Sequence, residues 1–355
     1  MKRNIMLFAL AMGVVMTSCG KIDQQQASEK EKEVVVNFSI GYATKATDGD
    51  GIDDDNIKTA YVFAFDGDRL DGSAYVTSNT GSISVTPGLR HFIAVINPNS
   101  EFTFTDITTP ASFWAVVSNL KDEGLDEMVM IGENHATISS TTTSVPIPAT
   151  RLVSKISVSS LKFELTGAME GKTVSNVAMY IKNYPTTMAY NGTSGTSYSS
   201  GLYPLNHESF EVYDYLGDVT SGSDAIQNHH FFCYERTTQV STSGKNAIRL
   251  CIKGDINGKT YYWSIPVNNG STWNTSAFVG VYDKHYGVKR NHSYSYDITI
   301  TRPGIPDDGS EPDPNDPDDN DDDNLEDDKD ITTQNLTFNL TVKDFVVVEG
   351  QNVSF

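Results

Sequence analysis

Apolar and polar residues alternate most regularly in the last stretch of the chain. Residues 335–355 read NLTFNLTVKDFVVVEGQNVSF, and Leu336, Phe338, Leu340 and Val342 alternate with Thr337, Asn339 and Thr341. A period of two predicts a strand with one buried face. Residues 34–40, VVVNFSI, repeat the pattern near the other end. Aligned without gaps, Val34 meets Leu336, Val36 meets Phe338, Phe38 meets Leu340 and Ile40 meets Val342. Asn37 falls on Asn339, and Ser39 on Thr341. Two strands with the same inward and outward sets can fill the same groove. The C-terminal strand follows a long acidic tract, which places it poorly to join the sheets before it.

Between these ends the pattern predicts two β domains. Residues 57–65, IKTAYVFAF, form a strand closed by Asp66-Gly67-Asp68. Residues 82–86 form a short strand, Pro87-Gly88 turns it into residues 89–96, LRHFIAVI, and Asn97-Pro98-Asn99 stops that run. One helix follows, capped by Thr109, opened by Pro110 and ended by Gly124. Phe113, Val117 and Leu120 recur at helical spacing as its buried face, with Trp114 beside them. Residues 128–131 return to strand. A second domain opens with RLVSKISVSSLKFEL over residues 151–165, a long strand bulged at Ser159-Ser160. Residues 174–181 are another strand. Residues 186–227, which contain NGTSGTSYSSG, read as a polar surface excursion too long for a simple turn. Four strands follow at residues 229–235, 247–253, 259–267 and 294–301, and Asp255-Ile256-Asn257-Gly258 and Asn268-Asn269-Gly270 supply hairpin turns. In the last of them Tyr294, Tyr296, Ile298 and Ile300 share one face, and Arg302-Pro303-Gly304 ends the domain. The expected boundaries are 46–148 for the first domain, 149–304 for the second, 305–334 for the linker and 335–355 for the terminal strand segment.

Composition agrees with an all-β chain: 17 Tyr and 16 Phe, with few helical runs. The net charge of −20 is concentrated in residues 306–330, whose fourteen carboxylates and one lysine carry −13 and leave −7 for the rest. That tract reads as a solvated, self-repelling linker. It offers many oxygens to calcium but lacks the glycine and distal glutamate of an EF-hand loop. Asp48-Gly49-Asp50-Gly51 with residues 53–55 is a weaker candidate of the same kind. No basic patch suggests nucleic acid. Residues 1–18 pair Lys2 and Arg3 with an apolar run too short to span a bilayer well, which marks a leader. Residues 21–33 read as a tether. Thr44-Lys45-Ala46-Thr47-Asp48 is a small, polar stretch of the kind proteases cut. Three cysteines do not make a disulfide scaffold. If Phe232 and Tyr234 face inward, Cys233 faces out. If Ile248, Leu250 and Ile252 face inward, Cys251 does too. The two then meet across neighbouring strands as a disulfide, or remain two free thiols.

No catalytic constellation stands out. There is no Gly-x-Ser-x-Gly elbow, no phosphate-cradling loop and no His-Glu-x-x-His pattern. His229 and His230 are adjacent, so in a strand they point to opposite faces. No metal site, cofactor or enzyme activity is expected.

Met16-Thr17-Ser18-Cys19 resembles the bacterial lipoprotein cleavage box, with Met16 in place of the usual Leu, and makes Cys19 the expected lipidated residue. The order of motifs adds to this: the strand before TKATDGD, then IKTAYVFAF, RLVSKISV, FFCYER, VKRNHSYSYDITITRPG and KDFVVVEGQNVSF. That order resembles the Bacteroidia fimbrillins, the type V pilins, over nearly the whole chain. The resemblance implies two tandem transthyretin-like or immunoglobulin-like β-sandwiches, one short helix in the first, and a C-terminal donor strand. It implies delivery to the outer membrane as a lipoprotein and cleavage between Lys45 and Ala46 by a trypsin-like or Arg/Lys-specific protease. The strand of Val34, Val36, Phe38 and Ile40 is then lost. A donor strand carrying Leu336, Phe338, Leu340 and Val342, extended by Phe345, fills the vacated groove of a neighbour in a cell-surface fimbrium. The implied partners are other copies, related pilin subunits, and host or bacterial surface ligands. This chain has Lys45 where Arg is commoner, Phe345 where Trp is frequent, and an unusually long acidic linker, which fits a minor, tip or anchor position. The rival class is a surface glycan-binding lipoprotein, which needs exposed aromatic platforms from Trp114, Trp263 or Trp273.

Overall fold

The computed structural model describes residues 32–42, 57–99, 102–124, 127–201, 214–222, 225–236, 247–268, 287–306 and 336–344. Cys19, Lys45, Ala46, Phe345, Trp273, the leader and the acidic tract from 307 onward lie outside them, as do the aspartates of 48–55. In chain order the first half holds β1 (Val34–Tyr42), β2 (Ala60–Asp66), β3 (Arg69–Val76), β4 (Thr80–Val85), β5 (Gly88–Ile96), α1 (Pro110–Trp114), β6 (Val117–Asn119), β7 (Met130–Ile138) and β8 (Ser144–Arg151). The second half holds β9 (Val153–Phe163), β10 (Thr173–Pro185), β11 (Thr187–Ala189), β12 (Tyr198–Gly201), β13 (Asp214–Thr220) and β14 (Ala225–Tyr234). It continues with β15 (Arg249–Ile256), β16 (Lys259–Pro266), β17 (His292–Ile300), β18 (Ile305–Pro306) and β19 (Leu336–Asp344). The protein is almost entirely β.

The first half is one seven-stranded sheet of order β3-β2-β5-β7-β8-β1-β4. Its end strands meet: a Cβ on Gly72 of β3 would lie 2.3 Å from Ser84 O of β4, so only glycine lets the two close. The closed sheet wraps its own core, which includes Val36, Phe38, Val62, Ile83, Phe92, Ile96, Val145 and Ile147. The seam is pinned by a buried ion pair. Arg90 Nε donates to Asp71 Oδ2 at 2.7 Å, Thr86 N–H donates to the same oxygen at 2.7 Å, and the Arg90 and Asp71 side chains are each 4 % exposed.

The second half is a two-sheet sandwich. One sheet runs β12-β10-β15-β16-β18, with β13 also beside β10, and the other runs β14-β9-β17-β19. Val158, Leu161, Met179, Leu250, Trp263, Tyr296 and Ile298 belong to the cluster between them. The turn from β15 to β16 places Asn257 at φ 53° and Gly258 at φ 77°, as its Asn-Gly sequence predicts. The bulge expected at Ser159-Ser160 is present as a register shift against β17.

Three expectations change. The helix ends after Trp114 rather than at Gly124. Thr109 caps it, with Ser112 completing a reciprocal box, but the β-branched Val116-Val117 and polar Ser118-Asn119 continue it poorly. Residues 117–119 instead pair with β11, and Val117 is exposed. Second, residues 186–227 are no single excursion, because β11, β12, β13 and the start of β14 lie within them. Third, the C-terminal strand does join a preceding sheet: β19 lies antiparallel to β17, from Ile300 opposite Leu336 to His292 opposite Asp344. β9 occupies the other edge of β17, which leaves this edge open.

Candidate functional site

The two segments that share a sequence pattern occupy unlike places. β1 is an interior strand. It runs antiparallel to β4, with Val34 opposite Val85, and parallel to β8, with Phe38 opposite Val145 and Ile40 opposite Ile147. Val36, Phe38 and Ile40 are buried, Val34 is half-buried against the same core, and Val35 on the opposite face is 65 % exposed. The alternation read from the sequence therefore gives the inward set of β1.

β8 shows how a strand with two prolines sits in mid-sheet. Asn37 N–H donates to Thr143 O at 3.2 Å, which sets the phase of the parallel ladder. The backbone of Val145, Ile147 and Ala149 faces β1, and that of Pro146 and Pro148 faces away. Asn134 Nδ2 donates to Pro146 O from the β7 side at 2.7 Å, in agreement with that phase. The missing proline N–H groups therefore fall where β1 asks nothing of them. On the other side Ile40 N–H donates to Asn79 O at 2.7 Å, so alternate β1 residues bond to β4.

Without β1 this site is a slot between two strand edges. Val145, Ile147 and Ala149 line one wall, and Ile83 and Val85 the other. The chain holds β1 only through the segments that precede residue 34 and follow residue 42, so a cut after Lys45 leaves it bound by noncovalent contacts alone.

β19 is an edge strand. Its apolar positions Leu336, Phe338, Leu340 and Val342 stand in register opposite Ile300, Ile298, Tyr296 and Tyr294, the buried set of β17. The structure thus keeps the two similar strands on separate sheets.

The expected disulfide is absent. Cys233 lies on β14 and Cys251 on β15, in different sheets, and both are buried free thiols. The inference of outward-facing cysteines failed because β14 is covered on both faces, so Phe231, Phe232, Cys233 and Tyr234 are all buried. Cys251 Sγ instead lies 3.6 Å from Ser264 Oγ, and burial pushes the Cys233 thiol up. Among the described residues no group of three or more His, Cys, Asp or Glu side chains is placed to hold a metal ion.

A second set of residues, not singled out by the sequence apart from Trp114, gathers where the halves meet. Glu123 is fully buried, accepting from Ser118 Oγ at 3.3 Å, Val129 N–H at 3.4 Å and the Tyr234 hydroxyl of β14. Burial, only partly offset by these bonds, pushes its carboxyl up to about 7. Nearby, Trp114, Ile131, Glu133, Thr150, Tyr190, Asn191 and Arg290 line a cleft of about 690 Å³. Trp263, by contrast, is fully buried and donates to Arg302 O, so it offers no platform.

This architecture is that of bacterial fimbrial and cell adhesion proteins whose structures are solved. A fimbrilin from Porphyromonas gingivalis superposes with a TM-score of 0.64 at 16% identity, covering 89% of this chain and 99% of that one. A candidate cell adhesion protein from Parabacteroides distasonis gives 0.56 at 15% identity, over 90% of this chain and 99% of its own. Another from Bacteroides eggerthii gives 0.54 at 14%, over 88% and 96%. At these identities the likeness is one of fold, and it extends over nearly the whole chain, as the sequence resemblance led us to expect. No family model matches the sequence, and no curated protein matches it.

Proposed function

We propose that this chain is a fimbrial subunit that polymerises by replacing its β1 with the C-terminal strand of another copy or of a related subunit. In this reading the precursor reaches the outer membrane through a lipid on Cys19. Cleavage between Lys45 and Ala46 releases the body together with its emptied slot. The role is structural and adhesive rather than catalytic.

The carrying observation is the interior position of β1. Its loss opens two rows of backbone N–H and C=O groups and an apolar trough between them, a template for strand addition. The register of β19 supports a donor held in store. On β17 it is bonded along one edge, whereas in the slot it would be bonded along both. Exchange therefore adds a ladder, at about 0.5–1.5 kcal/mol net per hydrogen bond. It does so without ordering a free strand from the start. Head-to-tail addition of this kind does not close on itself and grows a filament.

The test is assembly after proteolysis. The chain is digested with a lysine-specific protease and followed by size-exclusion chromatography and electron microscopy. Assembled material should begin at Ala46 by intact mass. A chain lacking residues 336–355 should stay a folded monomer, and so should Phe338→Asp/Leu340→Asp. Fibres from either variant after cleavage at Lys45 would overturn the reading.

A further inference from the structure

The cleft between the halves uses residues that strand exchange leaves idle. Its floor is the outer face of β7 and β8, where their pairing ends at Gly132 opposite Ala149. Beyond that point the ladder opens between Glu133 and Pro148, and the paired Ile131 and Thr150 line the cleft beside the gap. The second half supplies the facing side. Tyr190 and Asn191 come from the turn after β11, and Arg290 from the segment before β17. Pockets at domain junctions with volumes of about 300–1,000 Å³ are the usual form of small-molecule sites.

The chemistry of the lining is specific. Trp114 is half-buried, held edge-on to Phe113 with centroids 5.0 Å apart at 89°, which fixes its ring beside the cleft. Arg290 lies flat against the turn: a Cβ on Gly192 would fall 2.8 Å from its Nη1. Among the described residues no carboxylate forms an ion pair with that guanidinium, although its own backbone N–H donates to Glu235 Oε2 at 3.0 Å. Among the described residues Glu133 meets only His91 Nε2, at 3.2 Å. The Tyr190 hydroxyl is buried and has no hydrogen-bond partner among the described residues.

We propose that this cleft is a glycan subsite that seats one pyranose ring, its C–H face on Trp114 and its hydroxyls between Glu133 and Arg290. A carboxylate and a guanidinium are planar forks. One accepts from, and the other donates to, the vicinal hydroxyl pairs that distinguish sugars. Asn191 and Thr150 add short donor–acceptor groups at the rim. The apolar C–H face of a pyranose needs an aromatic surface that is exposed yet held still, and among the described tryptophans only Trp114 lines this cleft. The guanidinium accommodates a neutral hydroxyl pair or a sugar carboxylate, so both arms belong in the test. The proposal stands apart from strand exchange, since the cleft does not include the slot of β1.

Saturation-transfer NMR on the purified chain decides it, with galactose, N-acetylglucosamine and N-acetylneuraminic acid offered separately at millimolar concentration. At least one sugar should receive saturation on its ring protons. Trp114→Ala should weaken binding about tenfold, the scale of one aromatic contact. Trp114→Phe should keep most of the affinity, and exposed Tyr75→Ala should leave it unchanged. Arg290→Ala should weaken every binding sugar, and Arg290→Lys should weaken the carboxylated sugar least. Transfer to none of the three sugars overturns the proposal. So does affinity within about twofold of wild type for Trp114→Ala or for Arg290→Ala, and the Arg290 arm decides it even if Trp114→Ala fails to fold.

Discussion

Glu123 is the residue whose chemistry is most at odds with its place. It is buried among Ser118, Val129, Tyr190 and Tyr234, none of which carries a positive charge. Its carboxyl is pushed from the usual 4.5 up to about 7 by burial. A raised carboxyl makes the folded chain hold a proton that the unfolded chain has already released. Its contribution is therefore full below about pH 4.5, falls as pH rises to about 7, and is level above that. The difference is on the order of 3 kcal/mol. Glu123→Gln mimics the neutral acid, so urea denaturation of that variant should show a flatter stability profile across this window than wild type. A parallel profile in both proteins would mean that another group sets the slope. Nothing in the sequence pointed to this residue, because its environment is built from β6, β14 and the turn after β11, far apart along the chain.

At the scale of elements, β4 is the strand most exposed to the loss of β1. It is the end strand of the sheet and pairs only with β1, so between the loss of β1 and the entry of a donor it must hold by the seam with β3. Asp71 is the centre of that seam. Burial raises its carboxyl, but bonds from Arg90 and Thr86 outweigh this and hold it below the usual value of 3.8. The seam is therefore strong above that value and weakens as pH falls through the lower folded one. Asp71→Asn takes the nearest carboxylate from a buried guanidinium, leaving it Asp66 Oδ1 at 3.5 Å and backbone acceptors, and should cost up to about 3 kcal/mol in urea denaturation. It should also abolish assembly of the cleaved chain, whereas Asp66→Asn, at the exposed rim, should do neither. The elements divide by how far sequence could see them. Strands with one buried face, such as β1 and β17, were legible because alternation records burial directly. β3 was not, since Gly72 is selected by the close approach of β4 and interrupts its pattern. β8 was hidden by prolines that only the ladder phase excuses. β14 was found but its Cys233 was misplaced, because a strand buried on both faces carries no alternation to read. Short β6 and β11 exist only through each other, and local propensity shows neither.

At the scale of the whole molecule, the question is whether β19 leaves one sheet for another, and backbone phase gives a sharp answer. Ile40 N–H donates to Asn79 O directly opposite it, so Val36, Phe38 and Ile40 form the hydrogen-bonded pairs with β4. Asn37 opposite Ser82 is then a non-hydrogen-bonded pair, with Cα atoms about 4.5 Å apart, close enough for a disulfide. The sequence alignment puts Asn339 in the place of Asn37. In the uncleaved chain, however, Asn339 stands opposite Asp297 on β17. A chain carrying Asn339→Cys and Ser82→Cys should therefore remain monomeric by non-reducing electrophoresis before cleavage. After cleavage and oxidation it should give a ladder of multimers that collapses on reduction. The native Cys233 and Cys251 are buried and do not compete. The pair Asn339→Cys with Thr80→Cys is a diagonal at about 7–8 Å and should give no ladder. A ladder from the Thr80 pair alone would move the register by two residues. Fibres that form yet cross-link through neither pair would show that the C-terminal strand does not enter this slot.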